Sequence, residues 1–309
     1  MDANDPIPAS VIGGYLGAGK TTLVNHLLRH AGGRRLAVLV NEFGDLPIDA
    51  DLIVGAGERL IAIAGGCVCC AYGSDLIAGL EDLAGLPDRP DHVLIEASGV
   101  ALPGSIGAAL SLVPFFRLDA ILVLADAGAI AAQLADRFMG DTLHRQIASA
   151  DLVLLNKADL VSARELAATG SRLASLAPAA RIVPAHRASV PVEIALGLHA
   201  GRAWRDAAGA GPTHVTAAFE TLSCVLDGAF DVAPLAAALA RPELGVLRAK
   251  GLLQDRAGRL MVLQLAGGRH ETEVVAAKGA RAGRLVLIGQ AGCLARNAIG
   301  AAIEAARCR

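Results

Sequence analysis

The segment that most constrains the fold of this 309-residue chain is Gly14-Tyr-Leu-Gly-Ala-Gly-Lys-Thr-Thr22. It follows a short aliphatic run at residues 9–12 and precedes a helical run, which is the GxxxxGK[ST] pattern between a strand and a helix. Glycines let backbone N–H groups converge on phosphate oxygens, and the start of the following helix adds its dipole to the anion site. The pattern predicts a phosphate-binding loop, and a chance glycine turn is the alternative.

Each part of this loop has a predicted role in binding a nucleotide. Lys20 should reach the β- and γ-phosphates, where it also acts in catalysis, and the Thr21 hydroxyl should ligate Mg²⁺. The predicted nucleotide-binding residues of the loop are Gly14, Gly17, Ala18, Gly19, Lys20, Thr21 and Thr22.

Alternation of short aliphatic runs with helical stretches continues through the first two thirds of the chain. Runs with little polar alternation are typical of a parallel sheet covered on both faces, so we expect an α/β domain with a doubly wound, mostly parallel sheet. A Gly- and Ala-rich segment then predicts a domain boundary. The predicted organisation is a P-loop nucleotide-binding domain over residues 1–198, a linker over 199–213 and a smaller α+β domain over 214–309, with antiparallel pairing across residues 254–258.

Composition excludes several classes of protein. Lys and Arg number 28 against 30 Asp and Glu, so a broad nucleic-acid surface is not expected. The first ten residues lack the positive charge of a signal peptide, and the uncharged stretch 97–116 contains prolines and glycines that make a poor membrane helix. We therefore expect a cytoplasmic protein without a membrane partner, whose six cysteines are thiols.

A second motif, Asn156-Lys-Ala-Asp159, follows the predicted strand at residues 152–155. Guanine offers N1–H and an exocyclic amine, and the Asp159 carboxylate can accept from both. Adenine has no such donor pair, and sites built on polar pairing discriminate strongly. The motif is the guanine-reading loop of P-loop GTPases, so Asn156, Lys157 and Asp159 are predicted to bind the base.

Acidic residues near two further strand ends are candidates for catalysis. Glu96 stands where a GTPase usually has aspartate, which suggests that Mg²⁺ is held through water or by this longer carboxylate, and Gly99 can donate its N–H to the γ-phosphate. Glu42 and Asp49 lie in the place of the first switch and are candidates for ordering Mg²⁺ or the attacking water. The alternatives are a buried acid at position 96 and solvated loop acids at 42 and 49.

Three cysteines lie within four residues in Gly65-Gly-Cys-Val-Cys-Cys70. The thiolates of Cys67, Cys69 and Cys70 can converge on one soft ion, and the fourth ligand can be water, Glu42 or a ligand from another protein. An incomplete shell suits transfer of the ion, because a closed Cys₄ site releases zinc slowly. Cysteines buried as small apolar side chains and a redox role are the alternatives.

The segments GGYLGAGKTTLVNHLL, VLVNEFG, GGCVCC, LIEASG and LNKAD, in this order, resemble the CobW-type family of SIMIBI-class GTPases. Residues 246–251 look like part of the family's small C-terminal domain. The resemblance implies a GTP-hydrolysing metallochaperone with GTP or GDP, Mg²⁺ and Zn²⁺ or Co²⁺ as ligands, and with the ion on Cys67, Cys69 and Cys70. The family's fifth base-contacting loop is not recognisable here, and its His-rich tract is reduced to His199 and His214.

The expected activity is therefore slow GTP hydrolysis, of order 10⁻³ s⁻¹ or less without an activating partner, coupled to delivery of zinc to a client metalloprotein. Delivery of cobalt to a cobalt-insertion machinery is one alternative, since Cys₃ sites bind both ions. A nucleotide-dependent metal sensor or buffer and a P-loop small-molecule kinase are the others. A homodimer is a further possible assembly.

Overall fold

The structure is a computed structural model that describes residues 5–41, 60–65, 74–198, 218–275 and 282–308. The chain divides into two compact units, Met1–Leu196 and Gly197–Arg309, which are described separately below. Among the described residues, none of the helices has the length and apolar character needed to span a membrane.

The N-terminal unit alternates strands and helices. Its strands are β1 (Ile7–Gly14), β2 (Leu36–Asn41), β3 (Leu60–Gly65), β4 (His92–Glu96), β5 (Phe116–Asp126), β6 (Leu152–Asn156) and β7 (Arg181–Pro184). Its helices are α1 (Lys20–Arg29), α2 (Ser74–Ala84), α3 (Pro103–Leu110), α4 (Ile130–Leu134), α5 (Gly140–Ala148), α6 (Ala163–Leu176) and α7 (Val192–Leu196).

The seven strands form one sheet in the order β3-β2-β4-β1-β5-β6-β7, and every pairing is parallel. The chain leaves β1 toward one edge and leaves β4 toward the other. Right-handed crossovers in opposite directions place helices on opposite faces of such a sheet, and ligands bind beyond the carboxyl ends of its strands where the direction changes. The predicted doubly wound α/β fold is confirmed, and β1 lies at this switch point.

The strands consist mainly of apolar residues, as is typical of a parallel sheet whose two faces are both covered. Every residue of β4 and of β6 is buried, including the polar residue that ends each strand. Glu96 and Asn156 are only 4% and 2% exposed. Glu96 lies beside Ile12 of β1, and Asn156 lies beside Asp126 of β5. Parallel pairing therefore brings polar residues that are distant in sequence to one edge of the sheet.

Within its described residues, the C-terminal unit is an antiparallel sheet with two α-helices. It contains β8 (Phe219–Val225), α8 (Val232–Leu239), β9 (Val246–Gln254), β10 (Leu260–Ala266), β11 (Arg269–Val274), β12 (Arg284–Gln290) and α9 (Arg296–Ala305), with the strand order β11-β10-β9-β12-β8. The predicted pairing across residues 254–258 is confirmed, since Leu260 lies opposite Gln254. The core between sheet and helices includes Phe230, Leu235, Leu263, Leu285 and Ile299.

Candidate functional site

The loop between β1 and α1 has a backbone that only glycine adopts without strain. Gly14, Gly17 and Gly19 have φ of +130°, +72° and +108°. A Cβ on Gly14 would lie 2.3 Å from the Leu124 carbonyl oxygen, and one on Gly19 would lie 2.5 Å from Asn156 Nδ2. Positive φ favours glycine at all three positions. At Gly14 and Gly19, neighbouring atoms also leave no room for a Cβ.

The energetic cost of a positive φ and that of the close contact can be measured separately. Gly14→Ala is expected to lower the free energy of unfolding by about 3 kcal/mol, because it adds overlap with a carbonyl oxygen to an unfavourable φ. Gly17→Ala is the matched control, since it also has positive φ but no atom within 4 Å of the new Cβ. It should cost about 1 kcal/mol. Urea denaturation without nucleotide measures both, and equal losses would contradict the role assigned to the close approach at Gly14.

The start of α1 fits an anion. Gly19 caps the helix without a side-chain hydrogen bond, and the first turn contains no acidic residue. The N–H groups of that turn therefore carry the positive end of the helix dipole without a carboxylate of the helix itself to balance it. Lys20, the first residue of α1, places its Nζ 3.4 Å from the Tyr15 carbonyl oxygen. A phosphate group matches this combination of backbone donors and an ammonium.

Thr21 and Glu96, both predicted to hold Mg²⁺, lie in contact. The Thr21 hydroxyl donates a hydrogen bond of 2.8 Å to Glu96 Oε1. A hydroxyl and a carboxylate are hard oxygen ligands of the kind that Mg²⁺ takes when it also binds substrate phosphates. The donor set of this pair therefore fits the ion.

Gly99 lies against the phosphate loop. A Cβ at this position would be 2.8 Å from Leu16 Cδ2 and 3.0 Å from the Leu16 backbone nitrogen. In addition, Gln146 of α5 donates its Nε2 to the carbonyl oxygens of Gly99, at 3.1 Å, and Ala101, at 2.7 Å. Sequence analysis missed Gln146. The sequence indicates this residue only by an amide side chain on the helix face that also carries Leu143 and Ile147, which are both buried.

Asn156 connects two loops. Its Nδ2 donates to the Ala18 carbonyl oxygen at 2.8 Å, and its Oδ1 accepts from the Ala188 N–H at 2.7 Å. The phosphate loop and the loop that follows β7 are therefore joined through one buried side chain. The Asn156-Lys-Ala-Asp159 motif predicts a contact between Asn156 and the base. It does not predict this connection between the two loops.

The other two residues of the motif each contact an ionisable side chain that the sequence did not predict. Lys157, at φ +58°, places its Nζ 2.6 Å from Asp126 Oδ2 at the end of β5. Asp159 is 46% exposed, and its carboxylate lies 3.4 Å from His186 Nδ1. The Asp159 carboxylate is therefore accessible at the surface.

The loop after β7 adopts unusual backbone angles beside this carboxylate. Arg187 and Ala188 have φ of +50° and +52°, a region that residues other than glycine seldom occupy. The Ala188 N–H is held by Asn156, and His26 Nε2 donates to the Val190 carbonyl oxygen at 2.8 Å. Burial lowers the pKa of His26, so a neutral imidazole makes this bond. Such strain, held by surrounding contacts, is common in loops that bind ligands.

Five predicted residues, Glu42, Asp49, Cys67, Cys69 and Cys70, lie outside the described residues. The strands that lead to them are described. Asn41 at the end of β2 pairs with Gly65 at the end of β3, and Val40 pairs with Glu96. The two segments therefore leave the sheet at the same edge as the phosphate loop. Within the described ranges, three or more potential metal ligands do not cluster anywhere.

Two known protein families match the two parts of the chain. Residues 8–184 match the CobW/HypB/UreG nucleotide-binding domain, and residues 219–307 match the cobalamin synthesis protein CobW C-terminal domain. The zinc chaperone CobW of Sinorhizobium sp is 36% identical over 225 residues, which are 63% of each chain. The zinc chaperone CobW of Pseudomonas aeruginosa is 37% identical over 227 residues, 63% of this chain and 60% of that protein.

A more distant relative is the zinc-regulated GTPase metalloprotein activator 1 of Schizosaccharomyces pombe, 33% identical over 58% of this chain and 46% of that protein. The matched part of this chain thus spans less than two thirds of these curated relatives. Among solved structures, the Zn(II)-bound YjiA GTPase from E. coli aligns over 98% of this chain and 100% of that chain, with a TM-score of 0.47 and 22% identity.

Proposed function

Because the chain belongs to the CobW/HypB/UreG family, we propose that it is a GTP-hydrolysing metallochaperone. It carries zinc on Cys67, Cys69 and Cys70 and transfers the ion to a client metalloprotein. The proposal rests on the family membership, on the phosphate loop with its Thr21–Glu96 pair, and on the zinc chaperones among the relatives.

One observation carries the link between nucleotide and metal. Gly65, two residues before Cys67, pairs with Asn41, while Val40 pairs with Glu96 and Glu96 with Ile12. The cysteine-containing segment and the phosphate loop therefore start from one edge of the sheet. Three strand spacings separate β3 from β1, which is about 14 Å. The intervening strands β2 and β4 connect these two positions and can carry a conformational change from one loop to the other.

The nucleotide is bound by backbone groups, one ammonium and one carboxylate. N–H groups of the phosphate loop and of the first turn of α1 donate to the phosphates, and Lys20 balances their charge. Asp159 accepts from N1–H and from the amine of guanine. Asn156 keeps the phosphate loop in register with the base-binding side of the site. Bound Mg²⁺, held by Thr21 and Glu96, would neutralise charge on the β- and γ-phosphates.

Hydrolysis changes the contacts of the loop at Gly99. The Gly99 N–H donates to the γ-phosphate of GTP and loses this acceptor when water attacks the γ-phosphorus and GDP and phosphate form. The cysteines Cys67, Cys69 and Cys70 then bind zinc less tightly. The client takes the ion from the loosened thiolates, and intrinsic turnover stays slow until the client is present.

We expect bound GTP to strengthen the binding of zinc, and bound zinc to strengthen the binding of GTP. Zinc should bind 5–150-fold more tightly with a non-hydrolysable GTP analogue than with GDP, and zinc should tighten the analogue over GDP by the same factor. Competition with a chromophoric chelator measures the affinities.

Lys20→Ala is the control for this titration. It should keep the zinc affinity of the GDP form and lose the nucleotide dependence, because the variant no longer balances the γ-phosphate charge. Equal zinc affinities of the wild type with GTP analogue and GDP would contradict the proposed switch. The same titration with Co²⁺ distinguishes zinc delivery from cobalt delivery, since a zinc carrier should show the larger nucleotide dependence with zinc.

A further inference from the structure

We propose that Gln146 positions Gly99 for the γ-phosphate and thereby sets how strongly the protein discriminates GTP from GDP. This inference rests on the proposed function, because it assumes that Gly99 contacts the γ-phosphate. Gln146 itself would touch no part of the nucleotide and is a positioning residue.

The side chain of Gln146 holds the loop after β4 at two points. It is fully buried in α5, and one amide nitrogen donates to the carbonyl oxygens of Gly99 and Ala101, at 3.1 Å and 2.7 Å. Because these oxygens belong to residues two positions apart, a single planar group restricts the backbone on both sides of Val100. The chain separation of 47 positions between Gln146 and Gly99 makes this a tertiary contact, independent of the loop's own turn.

Gly99 is also in close contact with the phosphate loop. Its Cα is so close to Leu16 that an added Cβ would lie 3.0 Å from the Leu16 backbone nitrogen. Gln146 therefore holds the loop by its carbonyl oxygens, while Leu16 leaves little room for it to move toward the phosphate loop. The position of the Gly99 N–H relative to the phosphate loop is fixed before any nucleotide binds, so little ordering of this loop is needed when GTP arrives.

The amide oxygen of Gln146 lowers the stability of the folded protein. Gln146 Oε1 is buried and has no hydrogen-bond partner within the described part of the chain. An apolar side chain of the same size would avoid that cost, because a buried polar atom without a partner lowers stability. What an apolar side chain cannot supply is the pair of hydrogen bonds to the loop, so the amide serves the loop rather than the helix packing.

GDP lacks the γ-phosphate, so the position of Gly99 affects its binding little. Loss of the two hydrogen bonds should therefore weaken GTP selectively, whereas a general loss of packing would weaken both nucleotides. This difference separates positioning from a merely structural role.

The test compares dissociation constants for GDP and a non-hydrolysable GTP analogue, measured by isothermal titration calorimetry with Mg²⁺. Gln146→Met keeps an unbranched side chain of similar volume and removes both donors. We expect roughly tenfold weaker binding of the analogue and less than twofold change for GDP. Ile147→Val, on the same helix and buried, is the matched control and should leave the ratio of the two constants unchanged.

An unchanged ratio in Gln146→Met, or an equal loss for both nucleotides, would overturn the positioning role while leaving the proposed function intact. A wild-type protein that binds neither nucleotide would instead overturn the proposed function and this inference with it. If Gln146→Met does not fold, Gln146→Asn decides the question. It keeps an amide but is one methylene too short to reach both carbonyls, so the same selective loss is expected.

Discussion

Replacement of Cys67, Cys69 and Cys70 together by serine is expected to weaken zinc binding by at least about a thousandfold, with GTP binding retained. Thiolates are the soft anionic ligands that zinc prefers, and a serine hydroxyl stays protonated at neutral pH. The phosphate loop, Asn156 and Asp159 are untouched by the change. Chelator competition measures zinc, and calorimetry measures GTP in the same preparation.

The chain offers a matched control for this variant. Cys224, Cys293 and Cys308 are free thiols in the C-terminal unit, and burial raises the pKa of the Cys224 thiol. Replacing these three by serine should leave zinc affinity within about twofold of the wild type, because within the described part of the chain none of them belongs to a group of three or more potential metal ligands. Full zinc affinity in the Cys67, Cys69, Cys70 variant would mean that the ion is carried elsewhere.

Asp159→Asn should change which base the protein binds. Asparagine presents one acceptor and one donor where aspartate presents two acceptors. Guanine then loses the partner of its amine, whereas xanthine, with N1–H and a carbonyl oxygen at C2, gains a matching pair. We expect the ratio of affinities for GTP and xanthosine triphosphate to fall roughly a thousandfold, as sites built on polar pairing do when the pairing is broken.

Calorimetric titration with the two triphosphates measures this ratio. Asp126→Asn is the control, since it removes a carboxylate at the end of the neighbouring strand that binds Lys157 rather than the base. It should weaken both triphosphates alike. A variant Asp159→Asn that still prefers GTP would show that another group reads the base.

Local patterns in the sequence were sufficient for the fold class and for the phosphate loop. The aliphatic runs predicted strands, and parallel pairing explains why Thr21 and Glu96 meet although 75 positions separate them. Strand β11 was not predicted, because its residues are largely exposed on both sides and show no apolar alternation. The strand order was also beyond prediction, since it depends on contacts between distant segments.

The supporting residues of the site were missed for a similar reason. Gln146, Asp126 and His186 carry no motif, and their roles depend on which backbone or side chain lies opposite them in the folded chain. Arg187 and Ala188 give no sign in the sequence of their positive φ, which glycine or asparagine would have indicated. Motifs identify the groups that contact a ligand better than those that hold such groups in place.

Strand β3 lies at one edge of the sheet, and among the described strands it pairs only with β2. The chain enters its cysteine segment from this outer strand, whereas the phosphate loop starts from β1, three strands further in. Passing an ion between two proteins requires an intermediate in which both hold it at once, and an edge strand has an open side along which a second protein can approach. Under the proposed function, a client would therefore approach the zinc from the outer strand while GDP stays bound beyond the end of β1.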